Sequence, residues 1–221
     1  MRPIFVINNN SKSKIVSNLI SKQMDFKEKE LSKEDLVQID ALIEENDAAL
    51  LIIGLESNKD IQFYLDKCRT LRIPYIFVKD TIPLDFNINT IILPITNLEE
   101  EREKGPFASS FARHFNSNTK IYQPNDYGTR ALQNIEAIKT LFDSLKLTYS
   151  TIKGKTNSSK IELEAGKNNK SQNNTILIIS ASRDYGLDDI IFGPKERKII
   201  KTIDIPTMII NPRGDLYALC D

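Results

Sequence analysis

The chain has few of the residues from which metal centres, disulfide frameworks and basic binding surfaces are built. Its 221 residues include one histidine and two cysteines, and 30 basic residues balance 30 acidic ones. Cys68 and Cys220 lie far apart without a Cys-x-x-Cys spacing, so the sequence predicts neither a metal cluster nor disulfides and fits a reducing cytoplasm. Without net charge, binding to nucleic acid or to an anionic membrane is not expected.

Long apolar runs are missing as well. The longest, Ala48 to Ile53, is far shorter than the roughly 20 residues that span a bilayer. The apolar run that follows Pro3 stops at Asn8, which is too short for a secretory signal. We therefore expect no membrane anchor, no secretion and a cytoplasmic location.

The single histidine, His114, has no nucleophile motif and no metal-ligand spacing beside it. A histidine at a helix end is the simpler interpretation, and a Ser-His-Asp triad is the alternative.

What the chain does contain is an alternation of strands and helices. Ala49 to Gly54 is continuously aliphatic, which is typical of a central parallel strand covered on both faces. Apolar residues at helical spacing follow it from Ile61 to Leu71, and the clearest amphipathic helix runs from Thr129 to Leu145. This alternation predicts an α/β fold with a mainly parallel sheet.

Four local expectations accompany this assignment. Lys27 to Glu30 is interpreted as a solvated helix start or linker, and Ser32 as a helix N-cap with Asp35 as its capping-box partner. Gly154 to Asn174 is expected to be a long loop holding at most one short helix near Ile161 to Ala165. Cys68 is expected to face the core.

Two segments of the sequence resemble each other. The stretch "AALLIIGL…IPYIFV" and the stretch "NTILIISA…IPTMII" share an aliphatic strand, a loop, a helix, an Ile-Pro pair and a closing strand. This duplication predicts two related units, residues 1–84 and 88–221. Gly54 to Pro74 is 20 positions, whereas Ser180 to Pro206 is 26, so only the second unit is expected to hold a phosphate-sized loop.

The second unit resembles the universal stress proteins. Ile178 to Ile210, "IISASRDYGLDDIIFGPKERKIIKTIDIPTMII", matches the spacing of their C-terminal strand, glycine loop, helix and strand, and Thr90 to Leu98, "TIILPITNL", is similar to their first strand and turn. The resemblance covers Asn89 to Asn211, and the first 80 residues look like a shortened copy. It implies two tandem units of the adenine nucleotide α-hydrolase-like, Rossmann-like fold, and a homodimer.

The nucleotide loop of that family reads Gly-x-x-Gly-x9-Gly-Ser/Thr, and an Asp follows the first strand. The matching positions here are Ser180, Arg183, Gly193 and Pro194 in the loop and Thr96 after the strand. A side chain at Arg183 hinders close approach of the backbone to a phosphate, and Pro194 removes a backbone N–H donor. The resemblance therefore implies a degenerate ATP site.

Two functions follow as expectations. The first is a non-catalytic stress-response protein of regulatory or binding type, which acts through a protein partner or small ligand, needs no cofactor and is not an ATP binder of the usual kind. The alternative is a nucleotide-binding switch or weak ATPase that binds ATP or AMP. Its phosphate contacts would come from Ser180, Ser182, Arg183, Gly186 and Gly193, with Thr96 near the base. The tail from Arg213 to Asp221 is apolar enough to pack, either back across the sheet or on a second subunit, and the second arrangement would favour a homodimer.

Overall fold

The computed structural model describes residues 2–8, 10–126, 129–170, 172–182 and 193–212, and within them strands and helices alternate. The strands are β1 (Pro3–Ile7), β2 (Lys27–Leu31), β3 (Leu50–Leu55), β4 (Tyr75–Lys79), β5 (Thr90–Pro94), β6 (Asn118–Gln123), β7 (Tyr149–Lys153), β8 (Thr175–Ser180) and β9 (Thr207–Ile210). The α-helices are α1 (Ser11–Met24), α2 (Ile39–Asn46), α3 (Ile61–Cys68), α4 (Lys104–Phe115), α5 (Thr129–Ser144), α6 (Ile161–Asn169) and α7 (Lys195–Thr202). Short 3-10 helices, Glu34–Gln38 and Glu99–Glu103, lead into α2 and α4.

The described strands form one sheet in the order β2-β1-β3-β4-β9-β8-β5-β6-β7. Every neighbouring pair is parallel except β4 and β9, which pair antiparallel. The predicted mainly parallel α/β fold is confirmed. The sheet is continuous rather than one per unit, because the β4–β9 pair joins the strands that precede residue 84 to those that follow it. The division into domains 1–84 and 88–221 stays a prediction.

Helices cover both faces of the sheet. One apolar cluster packs under α2, α3, α6 and α7, and a second packs under α1, α4 and α5. Strand β3 contributes to both clusters and is buried at all six positions. Its unbroken aliphatic sequence therefore reflects cover on two faces, as expected for a central parallel strand.

The charged segment Lys27 to Glu30 is a strand, so its interpretation as a helix start or linker was wrong. These residues form the edge strand β2, hydrogen-bonded to β1 and exposed at its first four positions. An exposed edge tolerates charge on both faces, which is why the apolar pattern of a strand is absent.

The helix near Ile161 is nine residues long and continues to Asn169, beyond the predicted Ala165. The expected reciprocal hydrogen bonds are present: the Ser32 N–H donates to Asp35 at 2.8 Å, and the Asp35 N–H donates to Ser32 Oγ at 3.3 Å. The N-cap is Lys33 rather than Ser32, since the 3-10 helix begins at Glu34.

Two further predictions on single residues are confirmed. Cys68 is fully buried, and this burial raises the pKa of its thiol well above the usual range. His114 lies in the last turn of α4, with Nδ1 2.8 Å from the Ser110 carbonyl oxygen. Of the described helices, none is both long and apolar enough to cross a bilayer.

The strand order changes direction twice, at β1 and at β5. The chain passes from β5 to β6 and β7 on one side, and then returns to place β8 on the other side of β5. Strand β1 lies in the same way between β2 and β3. Open α/β sheets bind ligands outside the carboxyl ends of strands at such reversals. The fold therefore directs attention to the ends of β5 and β8, and of β1 and β3.

Near the ends of β1 and β3 the two backbones approach each other closely at Gly54. A Cβ added at Gly54 would lie 2.2 Å from the Asn8 carbonyl oxygen and 2.9 Å from Ser13 Oγ. Asn8 Nδ2 also donates to the Gly54 carbonyl at 3.1 Å and contacts the Tyr64 hydroxyl. The prediction that only the second unit holds a phosphate-sized loop stays a prediction.

We predict that Gly54→Ala destabilises the protein by about 1–3 kcal/mol, because the added methyl group meets backbone that cannot move aside. Gly105→Ala is the matched control, since its Cβ would meet only the Ile138 and Leu141 side chains at 3.3 Å. Urea unfolding of both variants measures the difference. Equal stabilities for the two variants would contradict the close approach at Gly54.

Candidate binding crevice at the ends of β5 and β8

A cavity of about 240 Å³ opens beyond the carboxyl ends of the second group of strands. Its described lining comes from the turn after β5, the loop before α6 and the first residue of α7: Thr96, Asn97, Leu98, Ser158, Ser159 and Lys195. This is the position that the strand reversal at β5 indicates. Of the residues in this lining, Thr96 was predicted from sequence to lie near the base, and Lys195 follows directly after the loop predicted to hold phosphate.

Four side chains of alternating charge lie beside this cavity, and we call Glu101, Lys104, Glu162 and Lys195 the crevice charge chain. Lys104 Nζ lies 2.6 Å from Glu101 Oε2 and 3.8 Å from Glu162 Oε1, and it donates to the Pro94 carbonyl at 2.5 Å. Glu162 Oε2 lies 2.8 Å from Lys195 Nζ. The first three side chains are almost completely buried, whereas that of Lys195 is 27% exposed.

The pKa values reflect this arrangement. Burial alone would raise the pKa of Glu101, but the adjacent Lys104 ammonium lowers it below its ordinary value. Burial disfavours the charge on Lys195, yet the carboxylates of Glu162 and Glu101 raise its pKa to about 12. The arrangement therefore favours the carboxylate form of Glu101 and the ammonium form of Lys195.

The carboxylates also accept the backbone N–H groups at the ends of the two strands. Glu101 Oε2 accepts from the Thr96 N–H at 2.9 Å, and Glu162 Oε1 accepts from the Ser180 N–H at 3.2 Å. In a nucleotide-binding α/β protein such N–H groups are the donors available to an anionic ligand. Here side chains of the protein occupy them.

A third carboxylate, at the start of α7, also accepts a backbone N–H group. Glu196, in the first turn of α7, accepts hydrogen bonds from the Ser182 N–H and from Ser182 Oγ, the latter at 3.2 Å. A carboxylate at this end complements the helix dipole. Burial nevertheless raises the pKa of Glu196 above its ordinary value, against the hydrogen bonds that favour its charged form.

Helix α5 hydrogen-bonds to the turn that carries Thr96. Buried Asn134 donates to the Leu98 carbonyl at 2.7 Å and to the Thr96 carbonyl at 3.4 Å. Thr96 Oγ1 accepts from the Leu98 N–H at 3.2 Å. Thr96 thus uses its N–H, carbonyl and hydroxyl groups within the protein, and only 4% of the residue is exposed.

The structure describes four of the six site residues predicted from sequence. Thr96 lines the cavity, while Ser180 and Ser182 lie beside it with their N–H groups bonded to carboxylates. Gly193 has a φ of +78°, as expected of a loop glycine, and a Cβ there would lie 2.9 Å from the Arg197 side chain. Arg183 and Gly186 lie outside the described residues, as does the tail from Arg213.

The charge chain was missed from sequence. Glu162 fell within the short helix expected near Ile161 to Ala165, and neither it nor Glu101 was expected to be buried, although both are. One signal was present: Glu101 and Lys104 are three residues apart, a spacing that places opposite charges together on a helix. Among the described residues, no group of three or more His, Cys, Asp and Glu side chains is arranged to hold a metal ion.

Comparison with known proteins finds similarity in structure alone. No sequence family and no curated protein matches the chain. A universal stress protein from Archaeoglobus fulgidus DSM 4304 matches with a TM-score of 0.62 at 11% identity, over 92% of this chain and 77% of that one. The chain has a fold of the universal stress protein type.

Two structures from Pseudomonas aeruginosa agree with this assignment. A protein provisionally classed as a universal stress protein, from strain UCBPP-PA14, has a TM-score of 0.57 at 12% identity, over 97% of this chain and 84% of that one. A functionally unknown protein from strain PAO1 has a TM-score of 0.56 at 11% identity, over 97% and 83%. At these identities the likeness concerns the fold.

We predict that Lys104→Met destabilises the protein by about 3–5 kcal/mol, because it leaves two buried carboxylates without their shared counter-charge. Lys139→Met is the control, since the Lys139–Glu136 pair on α5 is 2.7 Å long but solvent-exposed, and we expect its loss to change stability much less. Chemical unfolding at neutral pH measures both. A Lys104→Met variant as stable as Lys139→Met would show that the charge chain is not a stabilising unit.

Proposed function

We propose that the protein is a universal stress protein-like binding or regulatory protein without catalytic turnover, and that it is not an ATP binder of the usual kind. The observation that carries this proposal is the occupation of three strand-end and loop N–H donors by the carboxylates of Glu101, Glu162 and Glu196. A phosphate placed there would have to displace a carboxylate and meet its negative charge.

The residues that would contact the base and the phosphates of a nucleotide support the same proposal. Thr96 stands where the universal stress proteins have an Asp, and its N–H and hydroxyl groups are hydrogen-bonded within the 96–101 turn. The crevice charge chain is balanced, with the ammonium of Lys104 enclosed and only that of Lys195 partly exposed. The crevice therefore presents little net positive charge to attract a triphosphate.

The alternative function is a nucleotide-binding switch or weak ATPase, and the cavity itself favours it. Lys195, whose pKa is raised to about 12 by the neighbouring carboxylates, lines that cavity together with Ser158 and Ser159. ATP or AMP would then be held by Lys195 together with Arg183, and the Glu162–Lys195 contact would be rearranged.

Titration calorimetry with ATP and with AMP distinguishes these functions. For the wild-type protein we expect no heat of binding at millimolar nucleotide, because the donors are already satisfied. Binding tighter than about 100 μM that Arg183→Ala abolishes would overturn the first proposal, and absence of heat at millimolar ligand would exclude the second.

A gain-of-binding variant tests the reason for the exclusion. Glu196→Ala removes a negative charge and frees the Ser182 N–H and hydroxyl, so we expect measurable ATP binding at millimolar concentration. Glu164→Ala is the control, because that carboxylate accepts the N–H groups of Lys155 and Thr156 away from the crevice lining. If both variants are folded and neither gives a heat of ATP binding, the Glu196 carboxylate is not the group that excludes the nucleotide.

A further inference from the structure

The two outer edges of the sheet, β2 and β7, differ in their capacity to pair with another strand. Hydrogen bonds at both ends of β7 show which of its residues bond to β6. The Thr119 N–H donates to the Thr148 carbonyl at 3.0 Å, and the Gly154 N–H donates to the Gln123 carbonyl at 2.7 Å. Since alternate residues of a strand bond to opposite sides, the even-numbered residues of β7 face β6. The outward-facing backbone groups belong to Tyr149, Thr151 and Lys153.

Self-pairing of an edge strand obeys a symmetry constraint. Antiparallel pairing of two copies requires a two-fold axis perpendicular to the sheet, and this axis keeps each side chain on its own face. Opposed residues therefore always differ by an even number of positions, since the faces alternate with a period of two. Residues of odd number meet odd, and residues of even number meet even.

In β2 this constraint opposes like charges. The Lys27 N–H donates to the Arg2 carbonyl at 3.3 Å, so Glu28 and Glu30 direct their backbone groups outward. Axes at Glu28, Lys29 and Glu30 oppose Glu28 to itself, Glu28 to Glu30 and Glu30 to itself, respectively, at a Cα separation of about 5.5 Å. Like charges directly opposite each other are destabilising. The sequence Lys-Glu-Lys-Glu therefore disfavours pairing of β2 with itself.

In β7 the same constraint places residues opposite each other that do not repel. With the axis at Thr151, this threonine meets its own copy, Tyr149 meets the partner's Lys153, and Ser150 meets the partner's Ile152. Paired threonines are favourable across antiparallel strands, and no like charges are opposed. Ser150, Thr151 and Lys153 are exposed, so the described part of the chain leaves this edge accessible.

Charge complementarity supports the same register. The Tyr149 ring packs edge-on against Phe142 of α5 at 5.9 Å, and its hydroxyl donates to Asp143 at 2.9 Å. The odd-numbered side chains of β7 thus share the α5 side of the sheet. The partner's Lys153, opposite Tyr149, then lies on that side within reach of the aromatic ring and the Asp143 carboxylate.

We propose that two copies of the chain form a homodimer by antiparallel pairing of β7 with β7 about a two-fold axis at Thr151. The outward N–H and C=O groups of Tyr149, Thr151 and Lys153 bond to those of the partner, and the two sheets become one. The β4–β9 pair is already used inside the chain, and β2 carries opposed charges, so β7 is the described edge that remains for a second copy.

Light scattering after gel filtration, over about 1–200 μM protein, tests this interface. We expect a concentration-dependent dimer, and we expect Thr151→Pro to raise its dissociation constant about tenfold or more, because proline removes an outward N–H at the axis. Thr151→Val keeps the N–H and should retain the dimer. Glu28→Pro removes an outward N–H from β2 and should also retain it.

Cysteine cross-linking tests the axis without relying on a proline variant. In a Cys220→Ser background, Thr151→Cys places two thiols opposite each other at a Cα separation of about 5.5 Å, within the range for a disulfide. Mild oxidation should give a covalent dimer, whereas Glu28→Cys in the same background should stay monomeric on a denaturing gel. A monomer at all concentrations, or a dimer unaffected by Thr151→Pro with no Thr151→Cys cross-link, would overturn the proposal.

Discussion

The contact between buried carboxylates and the backbone N–H groups at the ends of β5 and β8 is the constraint on which the second group of strands depends. A parallel sheet flanked by helices leaves donors at the carboxyl ends of its strands and at the following helix starts. A bound anion satisfies such donors in many proteins. In this chain Glu101, Glu162 and Glu196 satisfy them, and the site is built around side chains of the protein itself.

Buried carboxylates require counter-charges, and this requirement explains the lysines. Lys104 lies fully buried between Glu101 and Glu162 and also bonds to the last carbonyl of β5. Lys195 neutralises the other oxygen of Glu162 at the start of α7. Each charge thus fixes an element: the turn after β5, helix α4, helix α6 and helix α7. Removal of one lysine leaves an uncompensated charge rather than an empty space.

The sequence predicted the architecture more completely than the site. Aliphatic strands, Ile-Pro pairs and amphipathic helices specify the α/β fold through local patterns, and Gly193 was recognised as a loop glycine. The charge chain could not be derived in the same way, because Glu101 and Glu162 lie 61 positions apart and both contact Lys104 only when α4 and α6 pack on the sheet. The edge strand β2 was also missed, since its alternating charges lack the apolar period by which strands are recognised.

Amide hydrogen exchange at Thr96, Ser180 and Ser182, measured by NMR with and without millimolar ATP, tests the central claim most directly. Internal carboxylates that occupy these three N–H groups predict slow exchange in the free protein and no change on adding ATP. Fast exchange in the free protein that ATP slows at the same three amides would contradict the account.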